Sequence, residues 1–404
     1  MKKKRMGRRD FLKSSVAGLG GFIYLSSNEK QPLKMVEDKK EDEKKIVYRV
    51  LGKTGIKLPV INMGVMNTDN PNLVKAALNA GISHLDTAQM YQRGTNEAMI
   101  GEVVKGRPRD SFTIGTRARL SIDQKTGLYV EEQTEEAFSQ KIETSLKNLG
   151  LDYVDIFQHH GIWVRETALY EPVLKALEKA KKAGKIRAIG IATHRNEPEI
   201  IQAAIDSKVY DVVLTAHNFQ QKHAPEVKKA IAKAADAGLG IMAMKSLGGK
   251  MVMEKPGAES VDVKAALKWV LQDPHVHTII AGFSTFDQMD MDLSVMKDMA
   301  LTKTEKENLR RTALLSGLYC QGCGQCVSQC LYQLPIPDLM RAYMYVYGYR
   351  NLVAAQDLLF SLNLPPVICG DCASCPVKCL NQWNVSDRIH NVVRLREVPP
   401  DFIV

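Results

Sequence analysis

The stretch YEPVLKALEKAKKAGKIRAIGIA, Tyr170–Ala192, decides how the fold is read. Its first half places apolar residues at three- and four-residue steps, the period of a helix with one buried stripe. Gly184 stands where that helix must stop. Ile186–Ala192 follows as a short apolar run, the pattern of a buried strand. The same unit recurs outward in both directions. Strands read as Val60–Val65, Ser83–Thr87, Ser111–Arg117, Tyr153–His159, Ile186–Ala192, Val212–His217, Gly240–Met244 and His277–Ala281. Helical patterns between them include Glu135–Leu149, Tyr170–Lys182, Ala224–Ala237 and Asp262–Gln272, and Gly81 and Gly238 also end helices. This alternation predicts an α/β chain folded as a (β/α)8 barrel. No GxGxxG opens the first unit, which argues against a doubly wound dinucleotide-binding sheet.

Beyond the barrel the chain carries two cysteine runs of identical spacing. They are Cys320, Cys323, Cys326, Cys330 and Cys369, Cys372, Cys375, Cys379, which together use all 8 cysteines. Thiolates at this spacing wrap a cubane cluster, and the fourth cysteine of each run usually serves the other cluster. The spacing therefore predicts two [4Fe–4S] clusters. One is held by Cys320, Cys323, Cys326 and Cys379, the other by Cys369, Cys372, Cys375 and Cys330. The alternatives are disulfides or two four-thiolate zinc sites. Disulfides rarely need a doubled, evenly spaced array, and zinc usually pairs CxxC units across a longer gap. Leu331 and Leu380 replace the proline that often follows the fourth cysteine, which bears on the turn rather than on ligation. Asp338–Tyr349 and Leu352–Leu362 read as helices between the runs, so residues 301–404 are expected to form a mainly helical ferredoxin-like domain. Tyr343, Tyr345, Tyr347 and Tyr349 read as packing around the clusters, the common use of buried aromatics.

The amino terminus reads as an export signal. Arg8-Arg9-Asp10-Phe11-Leu12-Lys13 precedes a weakly apolar stretch, Val16 to Leu25, and resembles the twin-arginine signal. The bland reading is a basic tail before a short helix. The stretch is too short and glycine-rich for a good membrane span. Residues 1–30 are thus expected to be a signal peptide read by the twin-arginine translocase, and 31–47 a charged linker. The destination is the periplasm, or the membrane if the leader stays uncleaved. Residues 1–13 hold seven Lys/Arg and one Asp, leaving 48 basic against 44 acidic residues elsewhere. That near balance, with no aromatic–basic stripe, gives no argument for nucleic acid.

Chemistry in such a barrel gathers at the carboxyl ends of the strands. The second strand ends in Asp86 and runs on to Tyr91, the third ends in Thr116-Arg117, and the fourth in Gln158-His159-His160. A tyrosine near a cation and a carboxylate is a candidate general acid, because positive charge favours phenolate. A neighbouring histidine can orient a substrate oxygen. Each residue has an ordinary alternative: Asp86 as a helix cap, Tyr91 as packing, His159 or His160 as a satisfied interior histidine. Their joint occurrence at three successive strand ends favours the site.

The segment from Gly81 to Tyr91, then Asn96-Glu97 and Gly101, resembles the aldo/keto reductase signature. Leu149–His160, Gly184–Ile191, Trp269 and Ala281–Ser284 are similar to later segments of that family, in order, over roughly residues 48–300. The resemblance implies a TIM barrel that moves hydride between a nicotinamide dinucleotide and a carbonyl or alcohol. The layout resembles the subgroup with a carboxyl-terminal iron–sulfur domain. It makes Tyr91 the proton donor and acceptor, Asp86 its carboxylate and His160 the oxyanion partner. Arg117 takes the place of the family's lysine. The nicotinamide positions fall on Thr193, His194, Asn218, Lys245, Ser246, Gly282 and Ser284. The loop from Gly282 to Gln288 has no Lys or Arg for a ribose 2′-phosphate, so NAD is at least as well suited as NADP.

Two functions remain open on the sequence. One is an exported oxidoreductase acting on a small alcohol or carbonyl, exchanging electrons through the clusters with a redox protein. The other is a redox-relay or binding protein whose barrel has lost hydride transfer.

Overall fold

The computed structural model describes residues 45–249, 261–313, 317–366 and 374–403, together with Ile368, Cys369 and Cys372. The twin-arginine motif at Arg8-Arg9 and the linker up to residue 44 lie outside the described residues. Lys44–Val404 pack as one compact unit.

A two-stranded hairpin, β1 (Tyr48–Val50) and β2 (Lys57–Pro59), comes first. Eight parallel strands then close into a barrel: β3 (Ile61–Gly64), β4 (His84–Asp86), β5 (Thr113–Ala118), β6 (Val154–His160), β7 (Ile186–Thr193), β8 (Val212–Ala216), β9 (Gly240–Met244) and β10 (Thr278–Ala281), which pairs back onto β3. Every strand expected from the sequence is present, shifted by a residue or two at its ends. The hairpin was not anticipated, because three-residue strands carry too short a pattern. It supplies Leu51, Ile56 and Leu58, all buried, to an inner core shared with Ile156, Leu214 and Met242.

Strand register sets the level of each polar side chain. Asp86 pairs with Gly115 and Arg117 with Gln158, so these residues meet at one height. Two glycines make room for them. A Cβ on Gly115 would stand 3.1 Å from Asp86 Oδ1, and one on Gly190 would stand 2.7 Å from Gln158 Cγ.

The carboxyl-terminal segment is mainly helical: Lys303–Ala313, Gln325–Gln329, Ile336–Tyr347, Leu352–Ser361 and Val385–Val393. Its own core joins Leu339, Met340, Leu359, Trp383 and Val392, with Cys320, Cys326, Cys330, Cys369 and Cys379 packed against it. The segment also roofs the barrel. Tyr319 N–H donates to Gly248 O at 3.1 Å, Tyr319 Oη donates to Glu197 Oε1 at 2.6 Å, and Asn351 Nδ2 donates to Asn67 Oδ1 at 3.0 Å. Arg93 and Asp357 form an ion pair at 3.1 Å.

The tyrosine expectation needs correcting. At about 100° per residue, positions two apart on a helix face nearly opposite ways. Tyr343 and Tyr347 stack on each other at 4.3 Å, and only Tyr343 of the four packs on the cysteine-lined core. Tyr345 and Tyr349 instead pack with Ala216, Tyr319 and Met344 at the barrel mouth.

Candidate active site

The described strands bring Asp86, Arg117 and Gln158 into one buried polar cluster. Arg117 Nη2 donates to Asp86 Oδ2, and Arg117 Nη1 donates to Gln158 Oε1 at 3.2 Å. Gln158 Nε2 closes the ring by donating to Asp86 Oδ1 at 3.0 Å. The Arg117 guanidinium lies 5.5 Å from the centre of the Tyr91 ring. Asp86, Tyr91 and Arg117 line one side of a cleft of about 1030 Å³.

His159 and His160 separate as strand alternation requires. His159 is buried away from the cleft and bonds to Tyr129 Oη at 2.7 Å and Tyr210 Oη at 3.0 Å. His160 ends β6, with Nδ1 buried and unpartnered. Burial holds His160 well below the usual histidine range, and Arg117, Arg119 and Arg341 push the same way. A neutral imidazole results, able to donate or accept one hydrogen bond.

Tyr91 departs from expectation. Burial pushes its phenol up to about 12. Arg117 pulls the other way but does not overcome burial, while Asp86 and Tyr345 add to the rise. Tyr91 is therefore a protonated phenol at neutral pH. Arg117 loses some basicity to burial, but Asp86 and Tyr91 outweigh this and raise it.

Among the expected nicotinamide positions, Lys245, Ser246 and Gly282 line the cleft. Ser246 Oγ is buried without a hydrogen-bond partner. Lys245 donates to Tyr349 Oη at 3.4 Å. Burial brings Lys245 down to about 7, with Arg341 and Arg117 contributing. The others lie elsewhere. Thr193 Oγ1 donates to Arg195 O at 2.8 Å, inside its own turn. His194 faces the roof beside Tyr319 and Arg341. Asn218 is buried and accepts from Gln220 N–H at 3.1 Å. Ser284 is exposed, its N–H donating to Gln288 Oε1 at 2.8 Å.

Three participants were missed in the sequence. Gln158 lies two residues before His160 on one strand, which places both on the same face; that period was a readable signal. Tyr349 reaches the cleft from the distant roof, and nothing local announces it. Asp292, also in the cleft wall, is buried deeply enough for its carboxyl to rise to about 8.

The eight cysteines surround two further cavities. One, about 430 Å³, is lined by Cys320, Cys323, Cys326 and Cys379. The other, about 340 Å³, is lined by Cys330, Cys369, Cys372 and Cys375. No group of three or more His, Cys, Asp or Glu among the described residues closes on a single metal ion. A smaller cavity of about 260 Å³ lies between Cys320 and the mouth residues His194, Lys245 and Arg341.

Residues 62–261 match the aldo/keto reductase family. The uncharacterized oxidoreductase YqkF of Bacillus subtilis is 22% identical over 293 residues, covering 65% of this chain and 95% of that protein. An aldo-keto reductase of Mycobacterium sp. is 33% identical over 157 residues, 38% of this chain and 51% of the relative. The NADH-specific methylglyoxal reductase of Escherichia coli is 30% identical over 123 residues, 28% of this chain and 37% of the relative. These last two are thus matched over about half their length or less. The holo form of aldo-keto reductase AKR11C1 from Bacillus halodurans shares the fold with a TM-score of 0.55 at 21% identity, over 66% of this chain and 96% of the other.

Proposed function

We propose that the barrel segment is an aldo/keto reductase, an oxidoreductase that interconverts a small carbonyl and its alcohol at Tyr91; the family match over residues 62–261 supports this. The observation that carries this reading is the Asp86–Arg117–Gln158 hydrogen-bonded ring, whose Asp86 and Arg117 line the cleft together with Tyr91. Tyr91, protonated at neutral pH, gives its proton to a carbonyl oxygen on reduction and takes one back on oxidation. Arg117 stabilises the phenolate left behind, and the ring of hydrogen bonds fixes Arg117. Neutral His160 orients the substrate oxygen.

When bound in the cleft, a nicotinamide dinucleotide would supply the hydride for reduction and accept it on oxidation. Lys245, the unpartnered Ser246 hydroxyl and Gly282 would hold it. The described lining offers no Lys or Arg besides Arg117 and Lys245, and the Asp292 carboxyl is present, so NAD suits it better than NADP.

The two cysteine-lined cavities support two [4Fe–4S] clusters. Each cavity gathers three cysteines of one run and the fourth of the other, the set expected from the spacing. Four sulfurs spread around a cavity suit a four-iron cage better than a zinc ion, which needs every sulfur about 2.3 Å from one point. Such clusters, when present, would exchange electrons one at a time with a redox protein partner, and a two-electron carrier such as the dinucleotide would have to mediate between them and the hydride step.

The twin-arginine motif supports export to the periplasm through the translocase that carries folded proteins, with the leader either cleaved or kept in the membrane. Replacing Arg8 and Arg9 with Lys should strand the protein in the cytoplasm; unchanged export would refute this part.

One observation favours a second reading, a relay or binding protein without hydride chemistry: Arg117 is shared between an ion pair to Asp86 and its contact with Tyr91. Turnover separates the two readings. The anaerobic protein is assayed on alcohols, aldehydes and sugars with NAD(H), NADP(H) and artificial electron acceptors. Tyr91→Phe should lower kcat by at least about 10² while leaving ligand binding intact. Arg117→Lys should keep activity if the cation serves Tyr91. Activity indifferent to Tyr91, or no turnover with any cofactor, favours the second reading.

A further inference from the structure

A groove of about 1910 Å³ runs between the barrel mouth and the roof. Its floor comes from the loops after β5, β6 and β7, and its far wall from residues 332–335, Arg341 and residues 361–365. Four cations line it, Arg119, Lys125, Arg195 and Arg341, against a single carboxylate, Asp123. Asp123 is already engaged, accepting from Lys125 N–H at 2.9 Å and Thr126 N–H at 2.8 Å within its own turn.

The guanidiniums are under-compensated. Arg195 is 8% exposed and stacks on Trp163 at 4.3 Å, yet its Nε and Nη1 have no hydrogen-bond partner. Its nearest carboxylate, Asp338, stands 3.5 Å away and also serves Arg341 at 3.0 Å. Arg119 makes no hydrogen bond or ion pair among the described residues. Buried cations without partners are costly, and planar guanidiniums match carboxylate and phosphate oxygens two at a time. The groove also touches the chemistry. Ala118 pairs with His159, so Arg119 stands beside His160 where β5 and β6 end.

We propose that this groove binds the anionic group, carboxylate or phosphate, of the substrate, with Arg119, Arg195 and Arg341 as its receptors. The claim deepens the oxidoreductase reading by naming a substrate class, and rests on that reading only for the reaction. A sugar acid or a sugar phosphate would place its charge in the groove and its carbonyl or alcohol toward Tyr91. A neutral sugar would leave Arg119 without a partner and Arg195 and Arg341 sharing Asp338 alone.

The test is calorimetric titration of the anaerobic full-length protein at constant ionic strength, which holds screening fixed. The probes are inorganic phosphate, D-glucuronate and D-glucose. Arg119→Gln is the informative variant, because Arg119 has no internal partner whose loss would unfold the chain; an unchanged Tm verifies this. Saturable binding of phosphate or glucuronate but not glucose is expected, weakened roughly tenfold or more by Arg119→Gln. The stronger of the two anions tells a phosphorylated substrate from a sugar acid. Absence of anion binding, equal binding of glucose, or affinity untouched by Arg119→Gln would overturn the proposal. Binding is read without turnover. An inactive protein that still binds anions through Arg119 would therefore refute the hydride reading and leave the anion site standing.

Discussion

Tyr91 and Lys245 show how burial in the wall of one cleft drives two titratable groups toward neutrality. Burial raises the tyrosine to about 12 and brings the lysine down to about 7. For Lys245 the consequence for stability has a definite sign. The folded chain holds fewer protons on this group than the unfolded chain between about pH 7 and the ordinary lysine value. Stability therefore rises with pH through that window, and the full penalty of the buried charge applies below pH 7. Lys245→Met should raise Tm more at pH 6 than at pH 9, measured by thermal unfolding at both. An equal gain at the two pH values would mean that the ammonium is comfortably solvated. At this scale Asp86, Tyr91 and Arg117 were legible because strand ends in a barrel converge. Their protonation was not, because a sequence shows the neighbouring cation but not the depth of burial that outweighs it. Thr193, Asn218 and Ser284 show the same limit: a sequence places them near strand ends but does not show which hydrogen bonds their side chains make.

Elements were the most readable level. The helix expected over Glu135–Leu149 and the strand over Gly240–Met244 occur with those bounds, because each carries a full period and a clear stop. The roof is different. Ile336–Tyr347 was legible as a helix, but its docking on the barrel depends on contacts far apart in sequence. Gly348 is one such contact: a Cβ there would sit 2.0 Å from Gly249 O and 2.7 Å from Met344 O. These are backbone atoms that cannot swing aside. Gly348→Ala should loosen the roof at a cost of about 1–3 kcal/mol, the usual range for overpacking. Limited proteolysis should then cut the carboxyl-terminal segment faster while the barrel keeps its far-UV dichroism. Unchanged cleavage and Tm would show that the roof is not held at this point.

Across the whole molecule, the barrel mouth, the roof and the two cysteine-lined cavities belong to one compact unit. Tyr319 links these parts, bonded to Glu197 under the mouth and adjacent to Cys320 in the chain. The proposed oxidoreductase would combine an acid–base site in the barrel with one-electron centres at the two cysteine-lined cavities. Which cysteines share a cavity was legible from spacing alone, since each cavity takes three from one run and the fourth from the other. The placing of one cavity against the mouth was not, because it depends on how the roof helix docks. The most direct test is iron and acid-labile sulfide analysis of the full-length protein purified without oxygen, with low-temperature EPR of the reduced sample. The account predicts about eight irons and eight sulfides per chain, two interacting cluster signals, and selective loss of one cluster in Cys379→Ser and of the other in Cys330→Ser. Zinc in place of iron, or a content of one cluster or none in the unaltered protein, would contradict it.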